Sequence, residues 1–72
     1  MNGKQCKMAR VGLGLSPQEL ASRAGVHYIT LRRLEAGESV SEDTRDKIEG
    51  ALSDAGATFS KRGGRIGATV PE

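Results

Sequence analysis

From Cys6 to Leu52 the apolar residues recur at the three- and four-residue spacing that keeps side chains on one side of a helix. In residues 5–13, "QCKMARVGL", Cys6, Ala9 or Arg10, and Leu13 share a face. This predicts a short first helix whose last turn Gly12 weakens by roughly 1 kcal/mol relative to alanine. In "GLSPQEL" the polar positions carry the signal. Ser16 stands as N-cap, Pro17 suits the first helical position, and Glu19, three residues after the serine, closes a capping box. The second helix runs from Pro17 to about Ala24. Gly25 fits the left-handed conformation that ends a helix, and Val26 turns back onto the core.

A third helix is predicted over about Tyr28–Ala36, with Leu31 and Leu34 inward, His27 at the cap position and Gly37 as the stop. Val40 tucks inward from the loop "GESV". Ser41 caps a fourth helix with acidic residues at its positive end and Thr44, Ile48, Ala51 and Leu52 as its apolar stripe. After Gly56 the grammar changes. "ATFS", a basic turn "KRGGR" and "IGATV" predict two short strands around a Gly-Gly hairpin turn. The expected fold is mainly α: a four-helix domain in residues 1–55, followed by a C-terminal β-hairpin or tail in 56–72.

The stretch "LASRAGVHYITLRRLE" presses two helical patterns around one glycine, so helices two and three meet steeply, and Ala21, Ala24 and Gly25 supply the small residues this needs. The outer face of helix three is then His27, Tyr28, Ile29, Arg32 and Arg33. A helix fits the DNA major groove, where arginine donates two hydrogen bonds to guanine and apolar groups touch the thymine methyl. The same exposed Tyr28 and Ile29 would also serve a protein interface.

Seventy-two residues allow one domain with a compact core, and 36% hydrophobic but only 3% aromatic residues favour a helical core of Leu, Val, Ile and Ala. Charge is uneven. Residues 1–33 hold six cations and one carboxylate, 34–50 two cations and six carboxylates, and 51–72 three cations and two carboxylates. A basic front half points to a polyanion met on one side. Lys61, Arg62 and Arg65 read most simply as solubilising charges around the turn, with DNA-backbone contact as the alternative. Cys6 has no cysteine or histidine companion at metal-ligand spacing and reads as a small core residue in a reducing compartment. His27 has no partner for a triad or ligand set, so it is a cap, a phosphate contact or plain surface. No enzyme, metal or cofactor is expected. No apolar run approaches the roughly 20 residues that span a bilayer, and no signal-peptide core is seen, so a cytoplasmic, nucleoid-associated location is expected.

"GLSPQELASRAGVHYITLRRLEAGE" resembles the helix-turn-helix of the Xre/Cro and lambdoid phage repressor family, whose pattern it meets at nearly every place. With helices one and four the resemblance covers about residues 5–55. It implies a repressor-like fold and a bacterial or phage regulator of double-stranded DNA. It also implies that helix three is the recognition helix, with Tyr28, Ile29 and Arg33 at base edges. The start of helix two would face a phosphate. Pro17 has no N–H, so the Gln18 and Glu19 backbone donors or the Ser16 hydroxyl would serve there; beside the resemblance, His27 and Arg32 stand as candidate backbone contacts, Arg32 otherwise as a solvated charge. The resemblance implies a buried structural pair between Arg10 and Glu35. The loop after helix three, Glu38 to Ser41, lacks the Lys or Arg that the family often carries there, and the family's last helices are replaced by the hairpin.

The function expected is a dimeric, sequence-specific repressor, self-regulating and bound to an inverted repeat, with hairpin strands paired across a two-fold axis through Phe59, Ile66 and Val70. The alternative is a protein-interaction module, antitoxin-like or co-regulatory, with weak DNA binding.

Overall fold

The computed structural model describes residues 1–72. Four helices, α1 (Gly3–Gly12), α2 (Pro17–Ala24), α3 (Tyr28–Glu35) and α4 (Glu42–Asp54), are followed by an antiparallel hairpin of β1 (Thr58–Arg62) and β2 (Arg65–Thr69). Helix α1 begins earlier than its apolar spacing indicates. Asn2 is the N-cap, its side chain accepting from Gln5 N–H at 2.9 Å while the Gln5 side chain accepts from Asn2 N–H at 3.0 Å. This reciprocal capping satisfies two otherwise orphaned donors, and the helix gains a turn ahead of the first apolar residue. Leu13 becomes its C-cap rather than its last helical residue.

Local grammar sets the middle helices. Ser16 Oγ accepts from Glu19 N–H and the Glu19 carboxylate from Ser16 N–H, so α2 starts at Pro17. Gly25, at φ +69°, closes α2 in the left-handed region that only glycine enters freely, and Val26 N–H bonds back to Ala21 O at 3.0 Å. The chain has turned fully into α3 two residues later. Ser41 caps α4 through Thr44 N–H. Thr44 is half-buried, with its hydroxyl bonded to that of Ser41, so it belongs to the cap as much as to the apolar stripe.

The core is a cluster of Cys6, Ala9, Leu20, Ala21, Leu31, Leu34, Ile48, Leu52 and Ala57 drawn from every helix, with Val26, Val40, Phe59, Ala68 and Val70 packed against it. Small residues set two close approaches. A Cβ on Gly3 would lie 2.0 Å from Leu34 O, so the start of α1 rests directly on the end of α3. A Cβ on Gly12 would lie 3.0 Å from a Val70 methyl, where the end of the hairpin crosses the end of α1.

The hairpin turn is shorter than "KRGGR". The strands run through Arg62 and Arg65, which pair directly, and only Gly63 and Gly64 connect them, at φ +57° and +74°. Two successive positive φ values give the mirror-image turn whose twist matches the strands, and the longer basic turn is not needed. Residues alternate between faces, placing Phe59 and Ala68 toward the helices. A lone two-stranded hairpin is marginal in water. Here α1 carries it: Gln5 Nε2 donates to Ser60 O at 2.8 Å and to Gly67 O at 3.2 Å.

Candidate nucleic-acid interface

The short turn at Gly25 leaves one side of α3 uncovered. Leu31 and Leu34 are buried beneath it, whereas Tyr28 and Ile29 are 37% and 57% exposed and the Arg33 side chain is 63% exposed. His27 Nδ1 accepts from Ile29 N–H at 3.1 Å and caps the helix, which leaves Nε2 of this exposed ring as its donor. The Arg32 guanidinium sits 5.9 Å from the Tyr28 ring centroid, within cation–π range. Arg33 has only a loose contact, Nε to Glu38 Oε1 at 4.0 Å, which leaves its fork of donors available.

Beneath this face, Arg10 and Glu35 form a two-pronged pair, Nε to Oε2 at 2.8 Å and Nη2 to Oε1 at 3.0 Å, with side-chain exposures of 11% and 7%. The third arm of Arg10, Nη1, donates to Leu15 O at 3.0 Å, so one guanidinium ties α1 to α3 and to the loop entering α2. The hydrogen bond to Glu35 holds the Arg10 proton even more firmly than usual. Cys6 Sγ donates to Glu35 Oε2 at 3.4 Å. Burial chiefly, and the neighbouring Glu35 charge next, push that thiol up to about 12, so it stays neutral. Lys7 and Arg32 line a small groove of about 190 Å³ over the pair, adding two cations beside α3.

At the start of α2 the capping box occupies Ser16 Oγ and Glu19 N–H, which leaves Gln18 N–H as the open backbone donor and the Ser16 hydroxyl hydrogen as a second. The hydrogen bonds from Ser16 hold the Glu19 carboxyl below its usual range, so the start of α2 carries a fixed negative charge as well. Phe59 and Val70 pack on the chain's own core, whereas half-buried Ile66 lies beside exposed Met8 and Val11 on an open apolar groove of about 840 Å³ between α1 and β2. In the sequence Lys4 and Lys7 count only toward the basic front half, and Gln5 has no evident role beyond its spacing from Asn2.

A helix held rigidly with an exposed polar and basic face, set by a three-residue turn against a capped partner helix, is a helix-turn-helix. The family model described as Helix-turn-helix matches residues 7–53, and the chain belongs to this family, of the Xre/Cro type. No curated protein matches the chain. The family is one of DNA-binding regulatory domains rather than enzymes, and this chain is a DNA-binding regulator in that general sense. No helix is long and apolar enough to cross a membrane.

Proposed function

We propose that the chain is a sequence-specific repressor that acts as a dimer on an inverted repeat, including one in the DNA upstream of its own gene. The observation that carries this reading is the division of α3 into a buried Leu31/Leu34 side and an exposed Tyr28, Ile29 and Arg33 side, locked in place by the Arg10–Glu35 pair. With its side chains an α-helix is about 10–12 Å across, which fits the roughly 12 Å width of the major groove. Arg33 then reads a guanine edge, Tyr28 and Ile29 meet neighbouring bases, and Ser16, Gln18, His27 and Arg32 contact the phosphates.

The apolar groove of Met8, Val11, Ile66 and Ala68, beside the free edge of β2, supports a two-fold contact between copies. In this reading residues 1–55 read DNA and 56–72 assemble the dimer, with Phe59 and Val70 supporting the hairpin from inside. A protein-interaction module is the competing reading, favoured by the same apolar groove and by the acidic stretch from Glu35 to Glu49. Fluorescence anisotropy of the upstream duplex and a scrambled control, titrated with the protein at several salt concentrations, separates the two. Preference for the upstream duplex with affinity falling steeply as salt rises supports the repressor. Weak, equal binding to both moves the weight to a protein partner.

A further inference from the structure

The hairpin tip concentrates positive charge in a way that folding alone does not favour. Arg62 and Arg65 are register partners directly across the two strands, and Lys61 precedes them. Like charges placed opposite each other destabilise a strand pair. All three side chains are exposed, and the molecule's ion pairs, Met1–Glu49, Arg10–Glu35, Arg33–Glu38 and Lys47–Asp43, involve none of them. The tip is also held in place. The Gln5 amide grips both strands from below, and the two-glycine turn leaves no slack between them.

Its position gives the charge a target. Gly64 and Ile66 share a groove of about 430 Å³ with Lys4, Ala36 and Gly37, so the tip stands beside the C-terminal end of α3 and the start of α1. Elements packed beside a helix that lies in the major groove come against the phosphates bordering that groove. The loop that leaves α3 there, Glu38, Ser39, Val40 and Ser41, carries no cation.

We propose that the hairpin tip is a DNA-backbone clamp. Arg62 and Arg65 on one side of the strands, and Lys61 on the α1 side with Lys4, straddle the tip and bind the phosphates next to the inserted α3, and the polyanion relieves the Arg62/Arg65 repulsion. The contact is indifferent to sequence, because phosphates carry no base identity. It rests on α3 being the helix that enters DNA.

The test compares the intact protein with Lys61→Gln/Arg62→Gln/Arg65→Gln by anisotropy on the upstream duplex and on a random duplex, across a salt series. Three lost phosphate contacts are expected to reduce the slope of log affinity against log salt by about 2–3, and to weaken both duplexes by a similar factor of about tenfold or more. An Arg62→Lys/Arg65→Lys variant is expected to keep the slope. Because the substitution removes like-charge repulsion, melting followed by circular dichroism is expected to show no loss of stability. Should the triple variant fail to fold, Arg65→Gln alone is read instead, with an expected slope change of about 1. An unchanged slope and affinity, or a loss confined to the upstream duplex, overturns the clamp while leaving the DNA-binding reading intact. Salt-independent or absent binding by the wild type on both duplexes overturns that reading and the clamp with it.

Discussion

In the proposed reading Arg10 governs DNA binding without touching DNA. Its guanidinium neutralises Glu35 and also bonds Leu15 O, so removing it alone leaves a nearly buried carboxylate without its counter-charge. Arg10→Met is expected to cost about 3–5 kcal/mol in urea denaturation, a large share of the roughly 5–10 kcal/mol that holds so small a domain together. Arg10→Met/Glu35→Leu is expected to recover most of that loss, and a double variant as unstable as the single one would refute the stranded-charge explanation. Arg33 behaves differently because it faces outward. Arg33→Ala is expected to leave melting unchanged and to cost about 1–3 kcal/mol of binding at one base pair, seen as relaxed preference in a panel of single-substituted duplexes. Equal losses on all duplexes would reassign Arg33 to the backbone.

Cys6 supplies a test of the same seam through pH. Its thiol ionises in the unfolded chain near the ordinary 9.0, but in the fold it keeps its proton up to about 12. Between those values the folded state binds more protons, so this residue's contribution to stability declines as pH rises. Melting temperatures measured from pH 8 to 11 are expected to fall more steeply for the wild type than for Cys6→Ala. Parallel curves would show that the thiol is not held neutral by the fold.

Among the elements, glycines make sharp predictions because each marks a specific crowding. Gly3→Ala places a methyl group on Leu34 O, where backbone meets backbone and neither side chain can move aside. It is expected to destabilise by about 1–3 kcal/mol in chemical denaturation, whereas Gly50→Ala, with open space around it and a helical setting, is expected to be neutral or stabilising. The same contrast explains what the sequence made legible. Caps at Ser16 and Ser41 and the glycine exit from α2 are readable because their partners lie within four residues, and the inward Leu31 and Leu34 because helical spacing marks the apolar face. Apolar periodicity puts the start of α1 too late, because the Asn2–Gln5 cap precedes the first apolar residue. The hold of Gln5 on Ser60 and Gly67 has no local signature, since a glutamine on an amphipathic helix looks solvated until the chain returns. The exposed face of α3 was legible in its residue types, while the basic flank from α1 and the hairpin depends on tertiary placement.

For the whole molecule, Met8, Val11 and Ile66 form the apolar face that a second copy covers in the proposed dimer. Val11→Asp in the full chain is then expected to give a monomer by light scattering. It is also expected to weaken binding to an inverted repeat far more than to an isolated half-site, since only the former benefits from two linked recognition helices. A variant that stays dimeric would place the contact elsewhere. The Gln5 amide has a further consequence for how the molecule comes apart. It joins parts of the chain separated by 55 and 62 residues, so docking the hairpin closes a long loop whose entropy the helices alone do not have to overcome. Warming is therefore expected to release the hairpin first, its amide hydrogens exchanging with solvent ahead of those in α2 and α4, and exchange of all three at one rate would refute this. If the hairpin carries both the backbone clamp and the dimer contact as proposed, that opening removes the two together, and the remaining helical body is expected to hold DNA less tightly as temperature rises.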